Sequence, residues 1–342
     1  MSSYPNAPWP SNPNQGQWGG PAQPKPPVIP FHPLNLGNLF DGTFAAIRSN
    51  PRVMFAISLG VMGIVGVLSG IVSALVPETS IDQVTFGSDT EFAVGMSEVY
   101  PAISDLGLQG IVGLISAGAS LLVTGMLVLS VTNAVVGINL DLKSTWEALK
   151  SHFWRLVGTA VLVWLIVGVV AAVIFIVPIV LIAVVAFASS SGDSLWFLSF
   201  LLLIIPLGIA VTVWVSVRLY FATLIAVVEG ATPPTALRRS WALTKGAFWR
   251  ILGRMLLMSI IVSIVVGLLG GTISAVIMFA TSVLPWAVTA FLLALVSALI
   301  SGLAMPFSAS YTSLMYVDER VRKENLGPVL AQAFETSRGS QA

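Results

Sequence analysis

The sequence predicts an all-α polytopic membrane protein: six transmembrane helices, short cytoplasmic interfacial amphipathic helices, and three related units. Three observations predict it. Apolar residues make up 56% of the 342 and charged residues only 9%, where a soluble globular domain carries about a quarter charged. Such a chain cannot cover itself with polar surface, so lipid must solvate most of it. Six stretches reach the roughly 20 apolar residues that a bilayer crossing needs. Finally, the line Trp-x3-Lys-x2-Phe-Trp-Arg-[Leu/Ile]-x-Gly is written twice, at 146–158 and at 241–253.

The elements follow in chain order. Residues 1–33 hold 10 of the 20 prolines and lack the basic-then-apolar order of a signal peptide. They read as a disordered Pro-rich cytoplasmic tail of polyproline II character, with Tyr4, Trp9, Trp18 and Pro24-Lys25-Pro26-Pro27 as candidate partner contacts. A six-span membrane domain occupies 34–326, and 327–342 form a short cytoplasmic C-terminal tail. The spans are expected near 53–76, 109–137, 156–187, 195–227, 251–280 and 284–317. Pro178, Pro206 and Pro306 lie inside them and should bend their helices. The small-residue run Gly267-x2-Gly270-Gly271-x2-Ser274 reads as a helix-packing surface.

Loop charge sets the orientation. Between the first two spans stand six acids, Glu78, Asp82, Asp89, Glu91, Glu98 and Asp105, with no Lys or Arg. All 16 basic residues fall in the tails, the alternate loops or the span ends that adjoin them, so the positive-inside rule makes both termini cytoplasmic. Six is an even number, which requires the same. The expected location is the plasma membrane, as a multi-pass protein.

Each copy of the repeated line opens with helix-start chemistry. Ser144-x-x-Glu147 reads as a capping box, and Thr232 before Pro233 as an N-cap with proline at the first helical position. Each copy precedes an odd-numbered span on the cytoplasmic side, where indoles and guanidinia suit the headgroup layer. The reading is a short amphipathic helix along the inner leaflet that turns sharply into the membrane. A third, worn copy precedes the first span: Leu36, Leu39, Phe40, Phe44 and Ile47 recur at helical spacing, and Arg52 aligns with Arg155 and Arg250, while Asn50 and Pro51 replace the Phe-Trp pair. Three such units give a period of about 100 residues.

Candidate lipid-headgroup or partner contacts are therefore Trp146, Trp154, Arg155, Arg218, Glu229, Arg238, Arg239, Trp241, Trp249 and Arg250. Glu229 is expected to pair with Arg218, Arg238 or Arg239. Asn133, the most polar residue deep in a span, is expected to bond a neighbouring helix. The run Tyr316 to Glu324 mixes both signs at spacings of three and four, which reads as a solvated stem with pairs along its surface.

Three segments, PLNLGNLFDGTFAAIRSNPRVM, VVEGATPPTALRRSWALTKGAFWRILG and YVDERVRKENLG, resemble the glycerophosphoryl diester phosphodiesterase membrane-domain family over roughly 33 to 330. The family takes its name from members in which this region is fused to a phosphodiesterase barrel, which the resemblance does not supply here: no soluble stretch approaches the roughly 250 residues of a barrel. What it implies is a membrane region alone.

Net charge of +1 gives no field for nucleic acid. Zero cysteines exclude disulfides and thiolate chemistry. The histidines are His32 and His152, the outer acids lack a calcium-loop pattern, and no cofactor is expected. The central parts of the spans carry no acid, lysine or histidine, which disfavours proton-driven transport. The preferred expectation is a non-enzymatic membrane component contacting membrane lipids or organising membrane or envelope proteins. A permease or lipid transporter with a cavity between repeats, and an intramembrane lipid phosphodiesterase, are the alternatives.

Overall fold

The structure, a computed structural model, describes residues 33–75, 96–138, 140–188, 195–280 and 284–325, with isolated positions between 327 and 336. The tail contacts at Tyr4 to Pro27, His32, the acids Glu78 to Glu91 and the SSSGDS connection lie outside these residues. The chain is all-α, and among the described residues six helices are long and apolar enough to cross a membrane.

In chain order the helices are α1 (Leu36–Ser49), α2 (Pro51–Leu75), α3 (Met96–Val135), α4 (Leu142–Ala188), α5 (Leu195–Leu219), α6 (Ala222–Val228), α7 (Pro233–Thr244), α8 (Phe248–Phe279) and α9 (Trp286–Glu324). The order is short helix, long helix, long helix, three times over, with the second short helix fused to its span and the short α6 continuing α5 after a break. The stretch from Met96, expected in part as loop, is already helical.

The three junctions differ for identifiable reasons. Between α7 and α8 the chain turns at Gly246, whose φ of 78° is open to glycine but strained for other residues. Between α1 and α2 the break is at Asn50, which Pro51 pushes out of the helical region. The Asn50 side-chain amide then donates to Leu140 O at 2.7 Å. In the second unit Ser151 stands opposite Gly246, and Phe153 and Trp154 opposite Asn50 and Pro51, so there is neither glycine nor proline. Helix α4 therefore runs unbroken for 47 residues, about 70 Å at 1.5 Å per residue, and the sharp turn expected there does not occur. Its N-cap is Asp141, not Ser144: Asp141 accepts from the Ser144 amide at 3.2 Å and from the Ser144 hydroxyl. Those bonds, the hydroxyl first, hold the Asp141 carboxyl below its ordinary range. Thr232 occupies the N-cap position of α7, with Pro233 following, but its hydroxyl meets that of Thr235 at 2.9 Å and caps no backbone amide.

Burial is polarised along the bundle. Leu34, Leu39, Leu127, Leu149, Phe221 and Tyr316 are essentially inaccessible, and all lie toward the end where α1, α6, α7 and the tail of α9 meet. Toward the other end the helices splay: Leu114, Val169, Leu268 and Val276 are more than half exposed. Apolar surface on that scale fits lipid, not water. Close approach is concentrated where α2 meets α9, where α4 meets α5, and at Gly125 of α3, where an added Cβ would meet Leu156 and Leu149 of α4 within about 3 Å. An added Cβ at Gly66 or Gly70 would meet Ala298, Leu295 or Phe291 of α9 within about 3 Å, and one at Gly302 would meet Met62 and Ser58 O. At Gly208 of α5 it would run into Ile174 of α4. Gly267 and Gly271, expected to pack, face open space.

Candidate functional site

Two ion-pair networks cross the well-packed end, and each is built by elements far apart in sequence. The first centres on Asp318, fully buried on α9. It accepts from Arg254 Nη1 of α8 at 2.6 Å, from Arg322 Nε one turn along α9 at 2.9 Å, and from the Leu34 amide at 2.7 Å. Arg254 and Arg322 also donate to Leu34 O, at 3.1 and 2.7 Å. The segment entering α1 is thus clasped to α8 and α9 by both polar atoms of one peptide residue. Beside it the buried Glu319 takes a two-pronged contact from Arg250, at 2.9 Å from Nε and 2.6 Å from Nη2. Paired geometry of this kind is what allows carboxylates to be buried.

The second network surrounds Glu229, at the end of α6. Its carboxylate receives Arg239 of α7 and the Tyr316 hydroxyl, and Arg320 stands 3.6 Å away. Glu324 joins Arg239 at 3.0 Å and Arg320 at 2.7 Å. The Glu229 contact raises the Arg239 pKa further above its already high value. So Arg239 is the partner of Glu229; Arg238 is exposed and makes no ion pair among the described residues.

Arg218, the other expected partner, is elsewhere. Its guanidinium stands against the mutually edge-on indoles of Trp214 and Trp241, 5.4 and 5.5 Å from the ring centres, which are 5.3 Å from each other. Both Nε and Nη1 are buried without a hydrogen-bond partner among the described residues, so the aromatic faces supply its stabilisation. Ser240 seals the break between α5 and α6 next to it, donating to Arg218 O at 2.9 Å and accepting from the Phe221 amide at 3.2 Å.

The two Phe-Trp-Arg copies adopt a common arrangement. In each, the phenylalanine meets the indole edge-on, at 5.5 Å for Phe153–Trp154 and 5.2 Å for Phe248–Trp249. In each, the indole is 80% exposed. In each, the arginine turns to an acceptor on the protein: Arg155 donates to Gly230 O at 2.6 Å, and Arg250 to Glu319. Gly230 has φ of 61°, and a Cβ there would meet His152 and Arg155, which explains glycine at that bend. Trp146 is exposed on α4.

Two expectations are corrected. The run Tyr316 to Glu324 is not a solvated stem: Tyr316, Asp318 and Glu319 are buried, although Arg320–Glu324 and Arg322–Asp318 do pair at spacing four. Asn133 bonds Leu129 O of its own helix at 2.8 Å, not a neighbour. Arg254, Asp318 and Glu319 were missed as partners. The available signal was Arg254 itself, one turn inside an apolar span, where a cation needs a carboxylate. No group of three or more His, Asp or Glu stands close enough to hold a metal among the described residues.

The three segments singled out in the sequence, at 33–54, 227–253 and 316–327, meet in these networks. No curated protein and no solved structure matches the chain. A family model described as a domain of unknown function (DUF7847) matches residues 34–318, the span whose two end residues are hydrogen-bonded to each other, and the chain belongs to that family.

Proposed function

We propose that this protein is a non-enzymatic integral membrane component, resident in the plasma membrane with both termini cytoplasmic, that contacts lipid or organises envelope proteins at its basic end. The carrying observation is the shared arrangement of the two Phe-Trp-Arg copies: indoles outward, arginines anchored inward. A half-wet indole is at its best in the headgroup layer, and anchoring the arginine to protein leaves the indole in a fixed position there. The basic asymmetry supports the orientation. That all three segments resembling the glycerophosphoryl diester phosphodiesterase membrane-domain family supply the two networks supports reading that resemblance as one of membrane framework.

The test is gentle purification with mass spectrometry of retained lipids and proteins, comparing wild type with Trp154→Ala plus Trp249→Ala. Loss of specific lipids or partners from the variant is expected; identical content would sink the role given to these indoles. Arg250 is unsuitable as the variant because its removal strands buried Glu319.

One observation favours a permease as second reading. A cavity of about 480 Å³ lies between α3, the α5–α6 break, α8 and α9. Thr124, Thr223, Ser263 and Ser308 line it, and their hydroxyls have no hydrogen-bond partner among the described residues. Elsewhere Ser116, Thr132, Thr159 and Ser313 bond back to their own helices. Free hydroxyls in one place offer sites to a polar guest; absence of neutral-solute uptake by proteoliposomes would remove this reading.

A further inference from the structure

On the opposite flank of the α8–α9 contact lies a second cavity of about 510 Å³, bounded by α1, α2, α8 and α9. It differs from the first in being apolar: the hydroxyl among its lining residues, that of Thr43, is turned back onto Leu39 O at 2.7 Å. Along α8 it extends from Met258 to Leu269. Eleven helical steps are about 16 Å, roughly half the hydrocarbon thickness of a bilayer. That is the depth of one leaflet, and hence of one acyl chain. Its upper rim is aromatic, with Phe307 packed edge-on to Phe44 at 5.8 Å and to Phe55 at 6.3 Å.

Charge marks the same rim. Arg48 follows Phe44 by one turn of α1, and Arg52 precedes Phe55 by one turn of α2, so each cation neighbours a rim phenylalanine on its own helix face. Both arginines are exposed and make no ion pair among the described residues. The carboxylates Glu229, Asp318, Glu319 and Glu324 are meanwhile taken by other arginines, and Asp41 sits two turns from Arg48 on α1. Two cations without acids stand above a slot sized for one chain.

We propose that this groove seats an acyl chain of an anionic phospholipid, with the lipid phosphate on Arg48 and Arg52. This rests on the lipid-contact reading and narrows it to one lipid class and one place. Helix α8 would then be held to α1 and α2 partly through lipid, which explains why its apolar length packs so little against protein.

The experiment uses the full chain in phosphatidylcholine nanodiscs doped with diazirine-tailed phosphatidylglycerol or diazirine-tailed phosphatidylcholine, with crosslinks mapped by peptide mass spectrometry. Labelling is expected to concentrate on 258–269 and 300–307, with phosphatidylglycerol favoured roughly tenfold or more, the effect of two arginines at a headgroup. Arg48→Ala plus Arg52→Ala, both on the surface, should abolish that preference while leaving chain labelling. Ala304→Phe, which fills the groove, should reduce labelling there by either probe and leave labelling of α4 unchanged. Labelling spread over α4 and α8 alike, or equal use of both lipids by wild type, overturns the proposal. If lipids and partners still depend on Trp154 and Trp249 when that happens, only this site falls; if wild type retains no lipid at all, the lipid-contact reading falls with it.

Discussion

Asp318 is where the energetics of this fold are most concentrated. Its carboxylate is fully buried, and it answers for two arginines and one backbone amide. Removing one member of a buried pair leaves the other uncompensated, at a cost of about 3–5 kcal/mol, whereas replacing both by apolar groups is often close to neutral. Asp318→Ala should therefore cost more than Arg254→Met combined with Asp318→Leu. The double variant still strands the Leu34 amide, so it should remain about 1–3 kcal/mol below wild type. Thermal unfolding in detergent measures both, and a double variant less stable than Asp318→Ala would refute the network as described. Residue-scale legibility divides along the same line. The outward placement of Trp154 and Trp249 could be read from the repeat because it depends on local sequence. Asp318 looked like an ordinary surface acid, since its i+4 partner Arg322 satisfies a local pattern; only the cation 64 positions earlier reveals that it is buried.

At the scale of elements, glycine placement distinguishes contact from mere composition. Gly66, Gly70 and Gly302 admit backbone-level approach of α2 and α9, with Phe291 O 3.0 Å from a Cβ placed at Gly70 and Ser58 O 3.1 Å from one at Gly302. Backbone cannot swing aside as a flexible side chain can. Gly70→Ala and Gly302→Ala should each lose about 1–3 kcal/mol through overpacking. Gly267→Ala and Gly271→Ala, facing open space on α8, should stay within about 0.5 kcal/mol of wild type. Chemical unfolding in mixed micelles ranks the four, and a loss at Gly267 equal to that at Gly302 would show that α8 has a partner at that face. The spans were legible because twenty apolar residues have few other uses. The junctions were only half legible: Pro51 and Gly246 mark breaks by their own backbone preferences, while the continuity of α4 is signalled by nothing more than Ser151 in glycine's place. The pairing of α2 with α9 was not legible at all. It joins the first span to the last, and glycine-rich faces occur on helices that pack and helices that do not.

For the whole molecule, the two ends of the bundle are chemically opposite, and this makes orientation a direct test of the scheme. Both ion-pair networks, the outward indoles and the cations Arg48, Arg52 and Arg238 belong to one end, while the α8–α9 turn near Pro285 belongs to the other. During insertion Lys and Arg near span ends resist translocation, and acids contribute little to that bias. Partnering with Asp318 or Glu319 therefore does not cancel the contribution of Arg250 or Arg254 to orientation. The networks also require Leu34, α7 and the end of α9 to share one side, since a bond such as Leu34 N–H to Asp318 cannot form across a bilayer. The chain has no cysteine, so single cysteines can be introduced without background. Asp41→Cys and Arg238→Cys should react with a membrane-impermeant maleimide only after cells are opened, and Pro285→Cys should react in intact cells. Each chosen residue is exposed or at a turn and outside both networks, so the fold should tolerate the changes. Reaction of Asp41→Cys in intact cells would invert the orientation. Reaction of Asp41→Cys and Arg238→Cys from opposite sides would be more serious, because it would separate elements that the buried arginine–carboxylate contacts hold together.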